Sequence, residues 1–178
     1  MWQRFLRWAQ DNSTYISIWG SNQKPDPCNY WRFVQSKKFP DRSDRIQIDT
    51  NEFYILRSYE RIHLPEHTAV YCRAMDESLG EMRIHYTGFA HPFFGSKEER
   101  DDNKGTPLIF EVRGHNVDVN LAHKDILARL SFYNMSENAI FEEDKNNPYG
   151  EQELKLSKYF SDWPDKLELI DGGRVKLK

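Results

Sequence analysis

Leu108-Ile109-Phe110-Glu111-Val112-Arg113 is the stretch that sets the fold class of this sequence. It is a short apolar run rich in strand-forming residues, ended by Gly114 and Asn116, and such runs read as β-strands. Segments of the same texture recur on both sides of it: Arg45 to Ile48, Phe53 to Arg57, Ile62 to Leu64, Thr68 to Arg73, Glu81 to Tyr86, Val117 to Leu121 and Ile126 to Tyr133. So many short strands predict a sandwich or barrel. Between two of them, Gly95 to Gly105 carries Lys97, Glu98, Glu99, Arg100, Asp101, Asp102 and Lys104, the composition of a solvated hairpin tip.

Further out the texture changes. Trp2, Phe5, Leu6 and Ala9 recur at helical spacing with Arg4 and Arg7 between them, which predicts a short N-terminal amphipathic helix whose apolar stripe packs on the domain or on a partner. From Asn12 to Asp44 the prolines 25, 27 and 40 break any long element, yet Tyr15, Trp19, Tyr30, Trp31 and Phe33 are too aromatic for a disordered linker. Beyond Met135 the chain is polar until Leu154, Leu156, Tyr159 and Phe160 offer apolar groups to dock. The expected organisation is therefore a single domain, with an irregular extension over 1–44, a β core over 45–135 and a tail over 136–178.

The 178 residues suffice for one hydrophobic core, and a net charge of −3 with both signs interspersed argues against a general nucleic-acid binder while leaving room for one anionic ligand. No apolar run approaches the roughly 18 residues needed to span a bilayer, nor is there a secretory apolar stretch, so the expectation is a cytoplasmic protein without membrane contact. Cys28 and Cys72 form no CxxC pair and read as small, partly buried thiols. The HExxH, Walker, GxSxG, GxGxxG and zinc-deaminase patterns are all missing, so the expected chemistry uses no protein-bound metal.

Glu111 is the informative acid, because its place in an apolar strand favours a neutral residue. Burial there would raise a carboxyl towards the range in which it shuttles protons; alternatively Glu111 sits on the solvated face of the strand or pairs with Arg113 or Arg83. The run His85-Tyr86-Thr87-Gly88-Phe89-Ala90-His91-Pro92-Phe93-Phe94-Gly95 brackets aromatics with glycines and a proline. It suits a turn that presents amides and flat rings to a planar ligand, and equally an aromatic hairpin packed into the core.

Four stretches in order resemble the dCTP deaminase branch of the dUTPase-like superfamily, in particular the C-terminal half of double-domain bacterial enzymes. They are Pro25-Asp26-Pro27-Cys28-Asn29-Tyr30-Trp31, then Glu52 to Ser58 leading to His63-Leu64-Pro65, then Gly80 to Phe89, and Phe110-Glu111-Val112-Arg113. The tail Leu154 to Phe160 is similar to the family's ending as well. The resemblance implies a mainly β, dUTPase-like β-clip (distorted jelly-roll) fold, trimeric or pseudo-trimeric assembly, and active sites shared between neighbouring domains. It implies metal-free deamination of dCTP to dUTP and ammonia, with Glu111 as general base and magnesium arriving on the triphosphate. It also implies a pyrimidine-reading hairpin with Thr87, Gly88, Phe89 and His91, with Arg113, Lys155 and Lys158 among the nucleotide-binding residues. Two stretches depart from the family pattern. No arginine lies in Ala74 to Gly80, where the family has serines and a catalytic arginine, and His91-Pro92-Phe93 replaces Asp-Pro-Gly. The first departure is met if the chain is one half of a split or shortened double-domain enzyme, the neighbouring domain supplying the Ser and Arg groups and this one the base and the hairpin; the expected assembly is a homotrimer or a hetero-assembly with such a homologous domain. The rival expectation is a non-catalytic domain kept for assembly or nucleotide sensing.

Overall fold

Residues 5–8, 24–34, 37–41, 44–75, 82–84, 88–96, 105–136, 158–162, 167–169 and 175–177 are described by the computed structural model. Their strands are β1 (Phe5–Trp8), β2 (Trp31–Val34), β3 (Lys37–Lys38), β4 (Asp44–Ile48), β5 (Phe53–Ile62), β6 (Thr68–Ala74), β7 (Met82–Ile84), β8 (Gly88–Ala90), β9 (Thr106–Gly114), β10 (Val119–Ala122), β11 (Ala128–Asn134), β12 (Leu167–Leu169) and β13 (Val175–Leu177). They form a five-stranded sheet ordered β2-β1-β5-β9-β7, two three-stranded sheets ordered β10-β4-β3 and β11-β6-β8, and the β12-β13 pair. Every ladder between these strands is antiparallel.

One face of each of the three larger sheets enters a common core. Tyr54, Leu56, Phe110 and Val112 come from the five-stranded sheet, Val70, Cys72 and Ala90 from the β6 sheet, and Ile46, Ile48 and Leu121 from the β4 sheet. Alternation decides which residues go inward: in β9, Leu108, Phe110 and Val112 are buried while Glu111 and Arg113 are exposed. The outer face of the five-stranded sheet carries a second, smaller apolar cluster of Trp31, Ile55 and Phe160, with Tyr30, Phe33, Phe53 and Ile109 packed against it. Phe160 belongs to the tail. Its ring meets Tyr30 at 5.5 Å and Trp31 at 6.3 Å, both edge-on, and Ser161 N–H donates to the Pro25 carbonyl at 3.0 Å. The expected docking of the tail is thus made by Phe160, whereas Tyr159 stays exposed; Leu154 and Leu156 lie outside the described residues.

The N-terminal helix is corrected. Phe5–Trp8 is a strand inserted between β2 and β5, with Phe5 to Trp8 opposite Val34 to Trp31, and Leu6 and Arg7 opposite Ile55 and Tyr54. A lone helix of ten residues is marginal in water, whereas a strand with neighbours on both sides satisfies its amides along two edges. The segment is committed to this domain's own sheet.

A second correction concerns β5, which the sequence presents as two strands. It is one strand, Phe53–Ile62, with its register against β9 broken between Arg57 and Arg61. Pro107, opposite Arg61, has no amide to give to the ladder. The Ser58 hydroxyl repairs the gap, accepting from Leu108 N–H at 2.9 Å and donating to the Glu60 carbonyl.

Candidate functional site

Glu111 lies on the exposed, outer face of the five-stranded sheet. Ile55 stands directly across from it on β5 and is buried in the outer apolar cluster, against which Ile109, two residues earlier on the same face, also packs. On the other side, Arg113 follows on the same face and stands opposite Arg83 of β7; both are exposed. The expectation that the apolar strand buries Glu111 is therefore corrected. Of the readings the sequence leaves open, the chain adopts the outward-facing one, with the carboxylate at the border between a hydrophobic patch and two guanidinium groups. Water exclusion around this acid would have to come from a covering surface. Lys158, in the tail turn beside Phe160, belongs to the segment docked against this face, and its Nζ lies 5.7 Å over the Tyr159 ring.

The hairpin residues lie elsewhere. Gly88 and Phe89 are on β8, opposite Cys72 and Tyr71 of β6. Phe89 points outward, 4.9 Å from the Tyr71 ring and 4.7 Å from the His91 ring, and Tyr71 in turn meets Tyr133 at 5.8 Å. These rings form a partly exposed aromatic ribbon across β11, β6 and β8, edged by Arg73, whose Nη2 donates to the Tyr133 hydroxyl at 3.0 Å. After β8 the chain turns sharply: Phe94 N–H donates to the His91 carbonyl at 3.1 Å, with Pro92 second and Phe93 third in the turn. Phe93 adopts φ of 63°, a left-handed conformation that fits the third position of a type II turn and is ordinarily filled by glycine.

Two glycines close the neck of the charged loop. Gly95 and Gly105 have φ of 78° and 95°, and a Cβ on either would come within 2.3 and 2.5 Å of the Ile62 carbonyl oxygen. Arg61 holds the neck with a fork, Nε and Nη2 donating to the Gly105 carbonyl at 2.9 and 2.6 Å. The expected hairpin tip itself, 97–104, lies outside the described residues, as do Thr87, Lys155 and the departing stretch 76–80.

The structure brings together Glu111 and Arg113, with the segment of Lys158 on the same side, and it brings together Gly88, Phe89 and His91. It does not join the two groups. The first lies on the face of the five-stranded sheet turned away from the core; Phe89 and His91 lie on the face of the β6 sheet turned away from the core, while Gly88, opposite the buried Cys72, alternates inward. Sequence reasoning missed Tyr71 and Tyr133, since cross-strand register is not written in a single strand, and named Arg83 only as an ion-pair partner for Glu111. Alternation within Thr68 to Arg73 does place Tyr71 and Arg73 on one face, which is the signal that was available. Among the described residues no group of three or more His, Cys, Asp or Glu side chains is arranged to hold a metal. Cys28 and Cys72 are free thiols, and burial, with Asp26 adding to it, pushes Cys28 up to about 11.

The family model of the 2′-deoxycytidine 5′-triphosphate deaminase (DCD) C-terminal domain matches residues 8–160. The chain belongs to that family. Among solved structures, 2′-deoxycytidine 5′-triphosphate deaminase from Agrobacterium tumefaciens is similar, with a TM-score of 0.51 and 33% identity, over 60% of this chain and 31% of that one. The match thus spans about a third of the Agrobacterium protein's length. No curated relative matches it. The mainly β architecture is the dUTPase-like fold of dCTP deaminases, and no helix among the described residues is long and apolar enough to cross a membrane. At 91 an imidazole packs edge-on against Phe89, and at 93 a phenylalanine holds a turn conformation suited to glycine.

Proposed function

We propose that the chain is one domain of a dCTP deaminase that acts with a second domain, either another copy or a homologous partner. The observation that carries this reading is that Glu111 and the Phe89–His91 rings lie on the outward faces of two different sheets. A general base and a base-reading hairpin so placed are brought to one nucleotide when the five-stranded face of one domain approaches the β6 face of another. Glu111 takes a proton from water as the oxygen attacks C4 of cytosine, and returns it to the departing amino group, giving uracil and ammonia. The neighbour's surface excludes bulk water from the carboxylate. A homologous partner, unlike a second copy, also brings the Ser and Arg groups of the family's stretch, whose arginine 74–80 lacks; Arg113, Lys155 and Lys158 hold the nucleotide with Thr87, and magnesium arrives on the triphosphate.

Incubating the protein with dCTP and magnesium, alone and with the product of any adjacent gene, and following ammonia release or the cytosine-to-uracil absorbance change tests this. Activity is expected in one of the two arms and is expected to be lost in Glu111→Gln; activity that survives this substitution removes the assigned mechanism. The second reading, a non-catalytic nucleotide-sensing domain, draws on His91 and Phe93, which leave no carboxylate in the turn. Binding of dCTP without turnover in either arm favours it.

A further inference from the structure

Arg83 and Arg113 stand directly opposite each other on β7 and β9, and both are exposed. Like charges set across a ladder repel. Among the described residues no hydrogen bond or ion pair joins either guanidinium to a carboxylate. Among the described residues β7 is the edge of the five-stranded sheet. Phe53, partly buried, faces Arg113 from β5 and walls the pair on its inner flank. Glu111 stands two residues before Arg113 on the same face. Two planar forks carried side by side on adjacent strands suit the oxygens of a phosphate, which arginine binds bidentately.

We infer that Arg83 and Arg113 together seat a phosphate group of an anionic ligand beside Glu111. The inference rests on and deepens the deaminase reading: the phosphate belongs to the nucleotide, and Arg83 is a binding residue in addition to Arg113. The seat relieves the cross-strand repulsion only when occupied, so ligand binding and sheet-edge stability are coupled.

Calorimetric titration of the full chain with inorganic tripolyphosphate, at low and at physiological salt, tests the seat without reference to turnover. Binding by the wild type is expected, weakened about tenfold by Arg83→Gln and by Arg113→Gln, each removing one charge-assisted contact. Lys124→Gln, which removes the same charge on the turn after β10, is expected to stay within about twofold. The dependence on salt should also become shallower in the two arginine variants. No binding by the wild type, or equal binding by folded Arg83→Gln, overturns the seat. Tripolyphosphate binding that needs Arg83 in a protein that turns over no dCTP with any partner keeps the seat and removes the deaminase reading. Turnover whose KM is unmoved by Arg83→Gln does the reverse.

Discussion

Phe93 shows what one backbone angle dictates. A left-handed residue other than glycine or asparagine costs roughly 1–2 kcal/mol, and Phe93 at φ 63° carries that cost in return for a partly buried ring. Replacing it by alanine removes the ring and keeps the cost, while glycine removes both. Phe93→Gly is therefore expected to be more stable than Phe93→Ala by about 1 kcal/mol, the reverse of the usual order. Urea midpoints of the two variants decide it, and an alanine variant as stable as the glycine one removes the argument. Cys28 makes a second test at this scale. Burial first and the Asp26 carboxylate second push its thiol up to about 11, and Cys28 N–H is also held by Asp26 Oδ1 at 2.9 Å. At neutral pH the thiolate is scarce, so iodoacetamide labelling should be slow and should accelerate in Asp26→Asn, whose lost carboxylate no longer disfavours the anion. Mass spectrometry at matched times reads the difference, and an unchanged rate would mean that access alone limits the reaction. Single residues were also where the sequence spoke clearly about Glu111. Its alternation with Phe110 and Val112 points it outward, but the apolar neighbours that suggested burial are the inward residues and the rim of the outer cluster.

Within elements, strand texture was legible and pairing was not. Thr68–Ala74 and Asp44–Ile48 lie close to their expected bounds, because β-branched and aromatic runs between turn residues carry that information locally. Phe5–Trp8 was misread as helical because four apolar and basic residues satisfy either period; the choice is made by β2 and β5, which are distant in sequence. The split of β5 was likewise a true feature of its sequence, produced by a bulge opposite Pro107. That bulge depends on Ser58. With Ser58→Ala, Leu108 N–H loses its acceptor in a partly buried site, and a loss of about 1–2 kcal/mol is expected. Urea unfolding measures it, and a variant within about 0.3 kcal/mol of wild type would show that water replaces the hydroxyl. The β4 to β10 connection holds a pH-sensitive link. Asp118 accepts from Thr50 N–H at 2.8 Å, Thr50 Oγ1 at 2.9 Å and Gln47 Nε2 at 3.2 Å, and the Thr50 backbone bond, ahead of the side-chain bonds, holds its carboxyl below the ordinary 3.8. A carboxylate lowered on folding favours the folded state while ionised, so its contribution is complete above the ordinary value and fades as pH falls below it. Asp118→Asn is expected to flatten the fall of urea midpoint below about pH 4.5 relative to wild type; a fall as steep as that of wild type would assign the acid sensitivity to other carboxylates.

At the scale of the whole molecule the decisive feature is directional. Glu111 and the Phe89–His91 rings lie on the outward faces of two different sheets around a shared core, and nothing in the order of residues announces this, because facing depends on which strands become neighbours. A two-fold contact would press like face on like face and leave acid and rings apart, whereas a head-to-tail contact presses one face on the other and closes into a ring when the rotation allows. This geometry makes the deaminase reading testable by mixing. Glu111→Gln lacks the proton shuttle, and a Phe89→Ala, His91→Ala double variant lacks the ring surface; on the shared-site reading each is inactive alone. If the neighbour is a second copy, co-refolding the two in equal amounts returns about a quarter of the wild-type rate, since that is the fraction of contacts at which an intact acid meets intact rings. If the neighbour is a homologous polypeptide, the mixture stays inactive, and the acid variant is rescued by no amount of the ring variant. Ammonia release from the mixture against each parent separates these outcomes, and a double variant that keeps full activity alone would mean that the β6 face takes no part in the site.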